Sequence, residues 1–109
     1  MAVVVNRFDV FLINLDPTVG SEVKKTRLCL IISPDEMNWH IRMVIVAPMT
    51  TAGKDYPTRV TCKFQRKKGQ IVLDQIRAID KFRLIKKIGT IDPQVQAEVI
   101  STLQSMFAF

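Results

Sequence analysis

The hydrophobic positions of the chain fall into short runs that predict a series of β-strands. Segments 8–15 (FDVFLINL) and 27–33 (RLCLIIS) are rich in apolar and β-branched residues, and the second is apolar enough to be buried on both faces. Segment 58–65 (TRVTCKFQ) alternates between apolar and polar residues, which predicts a half-exposed strand. Further strands are predicted at 40–47, 70–77 and 84–91.

Polar segments that contain turn-forming residues separate these strands. The sequence PDEMN (34–38) predicts a turn, segment 50–57 a polar connection, and RKKGQ a tight turn into the next strand. The connection at 16–27, DPTVGSEVKKTR, is longer than a hairpin requires.

The C-terminal segment has the pattern of a helix. Asp92 is suited to an N-cap position and Pro93 to the first turn, where its missing N–H is not needed. Val95, Val99, Leu103 and Met106 then follow at spacings of three or four residues. Several strands followed by one amphipathic helix predict a mainly β, α+β domain built around a small, strongly curved antiparallel barrel.

Length and composition are those of one globular domain spanning 1–109. The chain is 48% hydrophobic and 24% charged, its apolar runs are too short to span a bilayer, and its N-terminus lacks the pattern of a signal peptide. Cys29 and Cys62 lie inside strand-like runs without metal-ligand spacing, so both are expected to be small core residues. We therefore expect a cytoplasmic protein that does not contact a membrane.

Positive charge is concentrated in one region of the chain. The net charge is +6, but residues Arg59 to Lys87 alone carry +8, which leaves −2 for the remainder. Such a region favours a polyanion, usually nucleic acid or an acidic protein. A solubilising surface would have the same composition, so charge alone leaves both interpretations open.

The residue inventory narrows the possible chemistry. His40 is the only histidine, the acids form no cluster with metal-ligand spacing, and there is no Walker-type loop. No metal or other cofactor is therefore expected. Arg, Lys, Thr and Glu remain, and they suit the cleavage of RNA by its own 2′-OH. That reaction needs a base, cations for the phosphorane charge and a proton for the leaving oxygen.

Several motifs together resemble the MazF/PemK (Kid) family. They are VFLINLDPTVGSEVKKTR followed by an apolar strand, SPDEMN, VAPMTT and DQIR, and the resemblance extends from Asp9 to Met106. It implies an SH3-like barrel with a C-terminal helix, as in CcdB and MazF. It also implies a metal-independent, sequence-specific mRNA endoribonuclease, the growth-inhibiting toxin of a type II toxin–antitoxin system. The implied products are a 2′,3′-cyclic phosphate and a 5′-OH.

The resemblance also implies partners: single-stranded RNA, a second copy of the chain in a homodimer, and an acidic antitoxin that silences the toxin. Operator DNA is expected to be contacted only through the antitoxin complex.

The family pattern assigns three catalytic candidates. Arg27, after the long loop, and Thr50, after the third strand, are expected to stabilise the reacting phosphate, and Glu22 is expected to be the base or to orient Arg27. Without the family pattern, Arg27 would be a strand-edge arginine paired with Glu22, and Thr50 a turn threonine bonded to its own backbone.

A larger set of polar residues is expected to bind RNA. These candidates are Thr18, Ser21, Lys24, Lys25, Thr51, Lys54, Asp74, Gln75 and Arg77. Trp39, expected to begin a strand, could stack on a base, although packing or a dimer contact is favoured. RKKG is most simply a solvated hairpin turn.

Two residues depart from the family pattern. Leu28 occupies the position after the arginine where the family usually has proline, and Phe8 precedes Asp9 where it usually has glycine. Because proline would stiffen the backbone that carries Arg27, the fold is expected to survive and activity to be weaker.

Two other functions fit part of these observations. A nucleic-acid-binding SH3-like domain without catalysis would have the same charge, with Arg27 only gripping phosphate. A gyrase poison of the CcdB type would share the fold, but that activity is associated with a C-terminal Trp-Gly-Ile, and this chain ends in Phe107-Ala108-Phe109.

Overall fold

The described part of the chain forms seven strands and two helices. The computed structural model describes residues 4–15, 26–51 and 53–109. In chain order the elements are β1 Asp9–Asn14, β2 Thr26–Ile31, α1 Asp35–His40, β3 Met43–Thr50, β4 Arg59–Phe64, β5 Lys67–Val72, β6 Arg77–Asp80, β7 Leu84–Thr90 and α2 Pro93–Phe107. Short 3-10 turns at Leu73–Gln75 and Lys81–Arg83 flank β6. None of the described helices has the length and hydrophobicity to cross a membrane.

The strands pair antiparallel in the order β4-β5-β3-β2-β1-β7, with β6 also paired to β3. Strand β3 is therefore shared: its first half pairs with β6 and its last two residues pair with β5. The result is a mainly antiparallel half-barrel with a C-terminal helix, which confirms the predicted fold class.

Helix α2 covers one end of the half-barrel with the predicted face. Val99 is fully buried, and Val95, Leu103 and Met106 pack against the same core cluster. Pro93 occupies the first turn as expected. Asp92 stands at the N-cap, but its side chain makes no capping bond; its carbonyl accepts from the Gln96 N–H at 2.9 Å.

The second half of strand β2 confirms the prediction of burial on both faces, whereas Thr26 and Arg27 at its start are exposed. Cys29, Leu30 and Ile31 are all fully buried, with Leu30 in one core cluster and the other two in a second. Both cysteines are buried free thiols, as expected.

The predicted turn at 34–38 was wrong, because Pro34 is the N-cap of helix α1 and the other four residues form its beginning. Acidic residues occupy its first turn, and the Asn38 side chain bonds back to Ser33, which anchors the helix to the sheet. His40 and Trp39 consequently belong to the helix and not to a strand start. The Trp39 indole donates to the Val5 carbonyl at 3.0 Å while the residue remains 58% exposed.

The strand predicted at 40–47 is β3 and begins three residues later, at Met43. The strand predicted at 70–77 is in fact two strands, β5 and β6, separated by the 3-10 turn. Both pair with β3, one after the other, so the break lets one segment follow the curvature of the barrel.

The tight turn lies earlier than predicted. Gln65 and Arg66 take the left-handed backbone conformation with φ of 49° and 67°, and the KKGQ of the motif belongs to β5. Gly69 is required by a close approach and not by a turn, since a Cβ there would lie 2.8 Å from the Thr50 carbonyl oxygen.

The backbone at Phe8 explains why glycine, the usual family residue, suits this position. Its φ is 76°, a left-handed conformation that is unfavourable for a side chain with a Cβ. The backbone is held there because the Phe8 N–H donates to Ile31 and its carbonyl accepts from Ile91. This kink directs Asp9 into a buried network, where its carboxylate accepts from Thr90 and pairs with Lys87 at 3.3 Å.

Replacing Phe8 with glycine should give a more stable protein than replacing it with alanine, by about 1 kcal/mol, which reverses the usual order. Both substitutions lose the ring, so only the backbone preference differs between them. Urea unfolding of the two variants measures the difference. The same pair of substitutions at Lys86, a strand residue with ordinary φ, should favour alanine, and equal stabilities at Phe8 would contradict the assigned strain.

Candidate active site

Arg27 and Thr50 approach each other where β2 meets β3. The two strands pair with Cys29 opposite Pro48, and the same register continued by two residues places Arg27 opposite Thr50. The Arg27 side chain is exposed, and its Nε donates to the Met49 carbonyl over a long 3.4 Å. Its guanidinium is therefore held over the end of β3 without being locked into an ion pair among the described residues.

A cleft of about 710 Å³ opens beside this pair; we call it the main cleft. Its floor is largely apolar, and cations and hydroxyls line its rims. The lining residues are Leu12, Thr26, Arg27, Leu28, Met49, Thr50, Thr51, Cys62, Phe64, Gln65, Lys67, Lys68 and Gly69. An apolar floor between polar rims suits a nucleobase with its flanking phosphates.

A smaller cleft of about 160 Å³ lies on the other side of Arg27. It is lined by Leu15, Arg27, Cys29, Val46, Pro48, Gln75 and Arg77. Gln75 comes from the 3-10 turn, and Arg77 begins β6 opposite Val46. The structure thus brings Arg27 together with Thr50 and Thr51 in one cleft, and with Gln75 and Arg77 in the other.

Two RNA-binding candidates are not lining residues of either cleft. Asp74 accepts from Thr58 at 3.0 Å and from the Arg59 guanidinium at 3.3 Å, and these bonds, Arg59 first, lower the pKa of its carboxyl. Asp74 therefore ties the 3-10 turn to β4. Lys54 is exposed in the connection after β3, and its carbonyl accepts from Gln70 Nε2 at 3.2 Å. An RNA contact by either residue stays a prediction.

Five candidates lie outside the described residues: Glu22, Thr18, Ser21, Lys24 and Lys25. The smaller cleft also contains the thiol of Cys29, which lies beside Arg27. Burial raises the pKa of Cys29 to about 11, although the nearby charges of Arg27 and Arg77 oppose the shift. This thiol is therefore protonated at neutral pH and is a poor base or nucleophile.

Leu28 contributes to the floor of the main cleft. It pairs with Leu12 across β1 and β2, and both side chains line the cleft. The residue that replaces the usual proline therefore adds apolar surface next to Arg27.

Sequence reasoning missed Phe64, Lys67 and Lys68 as cleft residues. Phe64 could have been found, because the alternation of β4 places it on the same face as the buried Val60 and Cys62. Lys67 could not have been found, because the face of the hairpin on which its side chain lies depends on which residues form the turn. No group of three or more His, Cys, Asp or Glu suited to a metal occurs within 4–15, 26–51 and 53–109.

Comparison with known proteins decides the family. The model of the family described as PemK-like, MazF-like toxin of type II toxin–antitoxin system matches residues 6–107. This chain belongs to that family.

Individual relatives of this chain support the same assignment over most of its length. Endoribonuclease EndoA of Bacillus subtilis is 36% identical, covering 96% of both chains. Endoribonuclease toxin MazF of Escherichia coli is 33% identical, covering 79% of this chain and 78% of that protein. The MazE–MazF crystal structure of Deinococcus radiodurans superposes with a TM-score of 0.81 at 26% identity, covering 96% of both chains.

Proposed function

We propose that this chain is the endoribonuclease toxin of a type II toxin–antitoxin pair and that it cleaves single-stranded mRNA at specific sequences without a metal ion. The observation that carries the proposal is the position of Arg27, an exposed guanidinium between two clefts and opposite Thr50. The endoribonuclease relatives from Bacillus subtilis and Escherichia coli support the reaction class.

In the proposed reaction the scissile phosphate lies between Arg27 and Thr50. The 2′-OH of the preceding ribose loses its proton to a base and attacks the phosphorus, and the bond to the 5′-oxygen of the next nucleotide breaks. That oxygen takes up a proton, which leaves a 2′,3′-cyclic phosphate and a 5′-OH. Glu22 is our candidate for the base or for the residue that orients Arg27.

Arg27 is suited to the charge that develops in this step. Its planar, positively charged fork can bind two phosphate oxygens at once. Thr50 can donate its hydroxyl to the same oxygens. Stabilisation of developing charge by positioned donors is commonly the largest single contribution to such catalysis.

The proposed partners follow from the charge of the same surface. A disordered, acidic antitoxin segment would pair its carboxylates with the cations that hold RNA phosphates, so antitoxin and RNA would exclude each other. Deinococcus radiodurans MazF has been crystallised with MazE. We further propose that the toxin acts as a homodimer in the cytoplasm, and that it reaches operator DNA only within the antitoxin complex.

Incubation of the purified protein with a long RNA in excess EDTA tests the proposal. We expect discrete fragments that end in 2′,3′-cyclic phosphates, because neither the nucleophile nor the charge stabilisation comes from a metal. A non-catalytic nucleic-acid-binding domain would retain RNA in a gel-shift assay and leave it intact. Cleavage that stops in EDTA and returns with Mg²⁺ would contradict the metal-independent mechanism.

A further inference from the structure

The tip of the β4–β5 hairpin carries an unusual charge. Four of the six residues from 63 to 68 are cations, Lys63, Arg66, Lys67 and Lys68, and no acid interrupts them. All four are exposed, and none takes part in the ion pairs formed among residues 4–15, 26–51 and 53–109. We call residues 63–68 the basic tip.

The basic tip stands beside the candidate active site in a fixed position. Lys67 is paired with Phe64, so both side chains lie on the face that lines the main cleft. Further along β5, Gly69 packs so closely on the Thr50 carbonyl that a Cβ would lie 2.8 Å from it. Lys67 precedes Gly69 by two residues, which corresponds to about 6.6 Å along a strand. Lys67 therefore lies about one nucleotide farther along the cleft than the contact between Gly69 and Thr50.

Two features of the basic tip destabilise the β4–β5 hairpin. Both turn residues, Gln65 and Arg66, are left-handed, in a position where hairpins favour Asn-Gly. Lys63 and Lys68 lie directly opposite each other across the two strands, and like charges in that position are destabilising. Nevertheless the tip is tied down, since Gln65 Nε2 donates to the Ile88 carbonyl at 3.2 Å. Sequence choices that oppose folding are expected where function requires them.

We infer that the basic tip is a phosphate-binding arm, in which Lys67, Lys68 and Arg66 hold backbone phosphates of the RNA next to the one between Arg27 and Thr50. The inference rests on the proposed function for its substrate, single-stranded RNA. The tip binds phosphates and not bases, so it acts on every RNA sequence alike. The chemistry of cleavage stays with Arg27.

The first test measures RNA binding and its dependence on salt. The probe is a fluorescein-labelled pool of random 2′-O-methyl dodecanucleotides, which keeps the phosphates and lacks the nucleophilic 2′-OH. For the double variant Lys67→Gln/Lys68→Gln we expect the salt slope to fall by about 1.4, at about 0.7 per lost phosphate contact. This corresponds to binding about 25-fold weaker at 0.1 M salt. With RNA substrate, KM should rise while kcat stays within about twofold.

The double variant Lys81→Gln/Lys86→Gln is the matched control, because it also removes two lysine charges and neither residue lines either cleft. It should leave the slope nearly unchanged. An equal loss in the control would show that only net charge matters, and unchanged binding in the double variant would show that the tip does not bind phosphates. Either result overturns the inference.

The second test uses variants of the basic tip that should stabilise the protein and at the same time weaken RNA binding. Arg66→Gly removes a cation and relieves the left-handed strain, so Tm should rise by about 5 °C while RNA affinity falls. Lys68→Gln should likewise raise Tm and weaken binding. A purely structural role for the tip predicts no loss of affinity in a stabilised variant, so unchanged affinity in these variants would also refute the arm.

The outcomes separate this inference from the proposed function. If the wild-type protein binds the probe through the tip but never cleaves RNA, the arm stands and the nuclease proposal fails. If the protein cleaves RNA and the tip variants bind and cleave as the wild type does, only the arm fails. Tip variants that lose binding of an acidic peptide but keep full RNA affinity would assign the tip to a protein partner and overturn the RNA assignment.

Discussion

Replacing Arg27 with alanine should lower kcat for RNA cleavage by about 10²–10³-fold, the loss typical of removing one main donor to a developing oxyanion. This corresponds to about 3–4 kcal/mol of transition-state stabilisation. Single-turnover cleavage at saturating protein measures the effect on chemistry separately from binding. The fold should be unaffected, because the Arg27 side chain is exposed and its bond to Met49 is long at 3.4 Å.

Two further variants sharpen this test. Arg27→Lys keeps the positive charge but not the planar fork, so its rate should lie between those of the wild type and Arg27→Ala. Thr50→Ala should lose less than Arg27→Ala, since a neutral hydroxyl contributes less than a guanidinium. A rate for Arg27→Ala equal to that of the wild type, at unchanged Tm, would remove Arg27 from the site.

The fold could be predicted where one physical signal dominated. The spacing of Val95, Val99, Leu103 and Met106 gave the buried face of α2, since only one side of a helix can meet the core. The apolar run of β2 likewise predicted a strand buried on both faces. In both cases the pattern of hydrophobic burial alone decides the outcome.

The errors came from tertiary contacts that a local pattern does not encode. PDEMN has turn residues, but Asn38 is buried and bonded to Ser33, which favours a short helix over a simple turn. The segment RKKG was predicted to be a turn, whereas the small size of Gly69 allows a close approach to Thr50 in a neighbouring strand. The turn then falls on Gln65 and Arg66, which have low intrinsic preference for it.

For the site, the motif pattern proposed Arg27 and Thr50, and strand register supplies the physical reason that they meet. The rims of the main cleft could not be read from the sequence, because Lys67 reaches it only through the register of the β4–β5 hairpin. Asp74 is the opposite case, a residue of a family motif that lines neither cleft. Its bonds to Thr58 and Arg59 tie the 3-10 turn to the start of β4.

An RNA that lacks only the 2′-OH at its cleavage site should not be cut, because the proposed reaction takes its nucleophile from that ribose. The 5′ ends of cleaved transcripts first identify the site, and a short RNA containing it is then made with a single 2′-deoxy nucleotide. We expect cleavage below detection while binding stays within about twofold, since the phosphates that dominate affinity are unchanged.

A 2′-deoxy nucleotide placed one position downstream serves as the control and should be cut at nearly the normal rate. If the strand lacking the cleavage-site 2′-OH were cut as fast as the natural one, water would be the nucleophile. The products would then end in a linear phosphate instead of a 2′,3′-cyclic phosphate. Arg27 would still be needed in that case to stabilise the phosphorane charge. The Arg27 variants therefore test the charge stabilisation, whereas the 2′-deoxy substrate tests the nucleophile.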